Sequence, residues 1–111
     1  MKKFIHALCM LIVGSLVFAP GAMAHKVNLF AYAEAGKVYT ESYFPDGKAV
    51  EGGKVLVYDH GDKLLLEGLT DTQGMFNFPI PAVDDLTIVI EATMGHKNSF
   101  KLKKADVEAG Q

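Results

Sequence analysis

Apolar and polar residues alternate one for one along most of this chain, in short runs cut by turn signals. Val27, Leu29 and Ala31 alternate with Lys26, Asn28 and Phe30. Ala35-Gly36 separates them from a second run, Lys37 to Phe44, which Pro45-Asp46-Gly47 ends. Gly52-Gly53 precedes a third run, Lys54 to Tyr58, and His60-Gly61-Asp62 turns it into Lys63 to Glu67. Asp71-Thr72-Gln73-Gly74 carries Asp and Gly where a type I turn wants them. Phe76 and Phe78 share one face of a fifth run closed by Pro79 and Pro81. Leu86, Ile88 and Ile90 form a sixth, and Asn98 to Leu102 a seventh. A period of two is the signature of half-buried strands, because successive side chains of a strand point to opposite faces. Seven short strands at this spacing predict an all-β, seven-stranded antiparallel β-sandwich.

The first 24 residues break this pattern. Lys2 and Lys3 precede an apolar stretch from Phe4 to Phe18, and Ala22-Met23-Ala24 presents small residues where a signal peptidase reads them. The stretch falls short of the roughly 20 apolar residues of a membrane span. The expectation is a cleaved helical signal peptide over 1–24, a sandwich domain over 25–104 and a polar, fraying tail over 105–111. Export puts the domain in the periplasm or another extracytoplasmic space.

Cleavage after Ala24 removes 24 of 111 residues and leaves 87. The sole cysteine, Cys9, leaves with the leader, so neither disulfides nor thiolate ligands are expected. Nine lysines, no arginine and thirteen carboxylates then give a net charge of −4. That balance argues against nucleic acid, which favours a basic face. The small size and the lack of a Ser/His/Asp set or a carboxylate pair argue against an enzyme.

The same cut gives chemistry to the residue that follows it. His25 would carry a free α-amine beside its imidazole, and two nitrogens on one residue chelate Ni(II), Co(II) or Cu(II). His96, after Gly95 at the end of the sixth run, is the natural second donor if the ends of the first and sixth strands meet. His60 is a third candidate, although its turn position also suits a polar residue with only a backbone role. Met94 could add a thioether or simply pack. Asp59, Asp62, Asp84 and Asp85 read as turn formers. Phe30, Tyr32, Tyr39, Tyr43, Phe44 and Tyr58 read as core or cross-strand pairs, some of which must face outward.

Two sets of residues carry a family resemblance. Gly53-Lys54-Val55-Leu56-Val57-Tyr58, with Leu69-Thr70-Asp71-Thr72-Gln73-Gly74-Met75-Phe76-Asn77-Phe78, resembles the carboxypeptidase-regulatory-like, transthyretin-like sandwiches. Ala24-His25-Lys26-Val27-Asn28-Leu29-Phe30-Ala31, with Met94-Gly95-His96, is similar to exported accessory proteins of cobalt/nickel energy-coupling-factor transport systems. The resemblance implies a periplasmic protein that binds nickel or cobalt as cargo through His25 and passes it to a membrane permease subunit, with no organic cofactor and no stable membrane span of its own. Purine-catabolite hydrolysis, another activity of transthyretin-like proteins, is expected to need arginine, which this chain lacks. A copper-binding exported sandwich and a purely structural or interaction module remain open alternatives.

Overall fold

In the computed structural model, residues 26–111 are described. The expected leader, its cleavage site and His25 lie outside them. Seven strands form: β1 (Asn28–Glu34), β2 (Lys37–Tyr43), β3 (Lys54–Tyr58), β4 (Leu64–Leu69), β5 (Met75–Pro79), β6 (Leu86–Glu91) and β7 (Lys97–Leu102). They pair antiparallel in two sheets, ordered β1-β2-β5 and β4-β3-β6-β7. This is the all-β, two-layer arrangement that the alternation predicts. The fourth strand runs two residues further than its sequence run, to Leu69.

The core forms where the inward-facing residues of the two sheets meet. Val27, Leu29, Ala31, Val38 and Phe78 come from the three-stranded side, and Val55, Val57, Leu86, Ile88, Ile90 and Leu102 from the other. Each fully buried aliphatic side chain contributes about 1.5–3 kcal/mol. Pro79 is tolerated because β5 is an edge strand, where a missing N–H breaks no ladder.

The loops are built largely by side chains that bind their own backbone. Asp71 Oδ1 accepts from Gln73 N at 2.8 Å and Met75 N at 2.9 Å, and Gly74 N donates to Asp71 O at 3.0 Å. Gly74 has φ +76, and a Cβ there would strike the Ser42 carbonyl oxygen, so only glycine fits. Thr70 locks the neighbouring segment: its hydroxyl donates to the Val50 carbonyl and accepts from Gly53 N at 2.8 Å, all buried. This bond joins Gly53 to Thr70, which stand in the two halves of the first motif quoted above. Ala35 (φ 50) and Gly36 (φ 82) both turn left-handed, as a two-residue hairpin between β1 and β2 requires.

The tail corrects an expectation. Residues 105–111 read as polar and fraying, but Lys104–Ala109 form a short helix, α1, whose Val107 is fully buried in the core. Gly110 packs against Ala33 without room for a Cβ, and its carbonyl accepts from Gly36 N at 2.8 Å. The ordered domain therefore extends past residue 104. One buried valine and one glycine dock the segment, too few residues to show a helical period.

Candidate metal centre

The register of the four-stranded sheet fixes where the histidines stand. Lys54 pairs with Glu91 at one end of β3, and Tyr58 with Thr87 at the other. Glu91 also pairs with Lys97, so the 92–96 connection and His96 lie at the Lys54 end. The 59–63 turn, with His60, lies at the Tyr58 end. The paired part of β3 alone spans about 13 Å at ~3.3 Å per residue. Metal–imidazole bonds are about 2.0–2.1 Å, so His60 and His96 cannot share one ion.

At the His60 end, the polar groups are used to build turns. His60 Nδ1 lies 2.6 Å from Asp84 Oδ2, and His60 N donates to the same oxygen at 3.2 Å. The hydrogen bond to Asp84, reinforced by its charge, raises the His60 pKa above its ordinary value. The same contact, from imidazole and backbone N–H together, lowers that of Asp84. Asp59 Oδ1 accepts from Gly61 N and Lys63 N, both at 2.9 Å. Asp85 Oδ1 accepts from Lys104 N at 2.8 Å, which caps the first turn of α1. The adjacent Asp84 and Asp85 thus tie the β3–β4 turn and α1 to the strand entering β6. Asp59, Asp84 and Asp85 are turn formers, as the sequence suggests.

The opposite end is put together differently. His96 closes a 3-10 turn (Thr93–Gly95): its N donates to Thr93 O at 3.3 Å and its carbonyl accepts from Ala92 N at 2.8 Å. Its imidazole is half-buried, edge-on to Phe44 with ring centroids 5.6 Å apart. Phe44 leaves β2 into the Pro45-Asp46-Gly47 turn, where Gly47 N donates to Phe44 O at 2.9 Å. Two residues past His96, Asn98 Nδ2 donates to the Val27 carbonyl at 2.8 Å, bridging the two sheets. Nothing in the sequence marks Asn98, because an amide near a strand start resembles any edge residue. Met94 is 89% exposed and held at φ 60, so it does not pack in the core. Among the described residues, no three His, Cys, Asp or Glu side chains gather as a metal-holding group.

The fold defines the class: an all-β protein of two antiparallel sheets. In comparison with known proteins, the chain matches no family model, no curated protein and no solved structure. No helix among the described residues is long and apolar enough to cross a membrane.

Proposed function

We propose that this is an exported, transthyretin-like accessory protein that binds nickel or cobalt as cargo and assists its uptake by a membrane permease. In this reading the signal peptide is removed after Ala24, the amine and imidazole of His25 chelate the ion, and His96 supplies the next nitrogen. The protein is a carrier rather than a catalyst. The observation that carries the reading is the 2.8 Å bond from Asn98 to the Val27 carbonyl. It holds the backbone two residues after His25 beside the backbone two residues after His96. An all-nitrogen set of three donors without thiolates suits Ni(II) and Co(II) better than structural zinc. A site with so few protein donors leaves positions open for hand-off. His60 has no part in it.

Titration calorimetry of protein beginning at His25, with Ni(II) and Co(II), tests the reading. Saturable binding that is lost in His25→Ala supports it; absence of binding at micromolar metal defeats it. Both donors of His25 must shed protons, so affinity should fall as pH drops from about 8 to 5.5.

Copper is the second reading, and the exposed Met94 favours it, because a thioether is a soft ligand suited to Cu(I). Cu(I) affinity that falls in Met94→Ala, with Ni(II) affinity unchanged, would move the assignment to copper.

A further inference from the structure

The outer face of the three-stranded sheet is aromatic, and one carboxylate stands inside it. Alternate residues of β2 face outward: Tyr39, Glu41 and Tyr43 are partly exposed, while Val38, Thr40 and Ser42 are buried. Glu41 is paired with Phe30 on β1 and with Met75 on β5. Phe30 is 52%, Tyr32 47% and Met75 42% exposed. The rings associate across the strands: Phe30 with Tyr43 at 6.2 Å, and Tyr32 with Tyr39 at 5.3 Å between centroids. Glu41 is therefore collared by Tyr39 and Tyr43 along its own strand and by Phe30 and Met75 across it.

Among the described residues, no cation pairs with that carboxylate. The ion pairs among the described residues are Lys54–Glu67, His60–Asp84, Lys97–Glu91 and Lys104–Glu108. The basic residue of β2, Lys37, lies four residues along the strand, about 13 Å away. A carboxylate set among aromatic rings presents a lone negative charge on an otherwise apolar face. The rings add to the demand for positive charge, because their faces carry negative potential. A cation arriving from outside meets both the carboxylate and the rings.

We propose that this face docks a second protein through an arginine side chain, whose guanidinium pairs with Glu41 and stacks on the surrounding rings. Guanidinium fits better than ammonium because it is planar, weakly hydrated and able to stack while donating to a carboxylate. The chain has no arginine of its own, so another copy cannot supply the group. The proposal uses none of the residues of the metal reading and does not depend on it.

The test is a titration of protein beginning at His25 with the capped peptide acetyl-Gly-Arg-Gly-amide, followed by backbone amide shifts. Saturable shifts should gather on the outward residues of β1, β2 and β5. Glu41→Gln, a near-isosteric change, should weaken binding about tenfold, and Tyr39→Leu should weaken it less. The citrulline peptide, with the same shape and no charge, should not bind. No saturable shift, shifts centred on the Asp59–Asp84 turns, or unchanged affinity in a folded Glu41→Gln protein would each overturn the proposal. Equal affinity for the lysine peptide would overturn the choice of guanidinium.

Discussion

The two ends of the four-stranded sheet hold histidine in different surroundings. At one end, His60 is bonded through ring and backbone to Asp84, and neighbouring carboxylates are occupied with backbone amides. At the other, His96 leans edge-on to Phe44 beside the point where Asn98 captures the incoming chain, and Met94 projects into solvent. A histidine whose ring is bonded to a turn-building carboxylate is part of the scaffold. In the reading proposed above, a histidine at a junction of chain segments, with another histidine two residues before the captured carbonyl, is a ligand. Residue type alone does not separate these cases; the surroundings do.

The comparison can be broken in graded ways. The largest effect should come from Thr70→Val beneath the His96 end. It strands the Gly53 N–H and the Val50 carbonyl in the core and should cost about 3 kcal/mol in denaturant unfolding. Metal affinity measured well below the melting point should survive it. Next, His25→Ala should lower Ni(II) affinity by about 100-fold and His96→Ala by about tenfold, whereas His60→Ala should leave it unchanged. A loss in His60→Ala would erase the distinction between the ends. At the His60 end, Val107→Ala should cost about 2 kcal/mol, which a fraying tail would not.

The smallest effect concerns the exposed His60–Asp84 pair. The His60 pKa is raised, so its contribution is complete below the unfolded value of about 6.5 and disappears as pH rises through the raised one. The Asp84 pKa is lowered, so its contribution is complete above about 3.9 and disappears as pH falls through the lowered one. Melting curves should therefore show a slight decline just above about pH 6.5 that His60→Gln removes.

Much of this fold was legible in the sequence, and the reason is local. The burial of Leu29, Ala31, Leu86, Ile88 and Ile90 follows from alternation within each strand. Asp71 and Gly74 announce their turn because the bonds that make it span only a few residues. What stayed hidden depends on distant pairing. The separation of His60 from His96 follows from the β3–β6 register, and the Asn98–Val27 bond joins residues far apart in the chain. Nothing in the sequence sets Glu41 apart; its aromatic collar appears only when β1, β2 and β5 are set side by side. Val107 was hidden because one apolar residue in a short polar segment has no period to detect.

The central claim is that processing completes the metal site by exposing the His25 amine. It is tested most directly by comparing Ni(II) affinity in two forms of the protein that begin at His25, one with its amine free and one with that amine acetylated. Acetylation turns the His25 amine into an amide, supplies no new amine and leaves every side chain in place. The account predicts saturable binding by the first form and affinity at least about tenfold weaker in the second. Equal affinity in the two forms would contradict it.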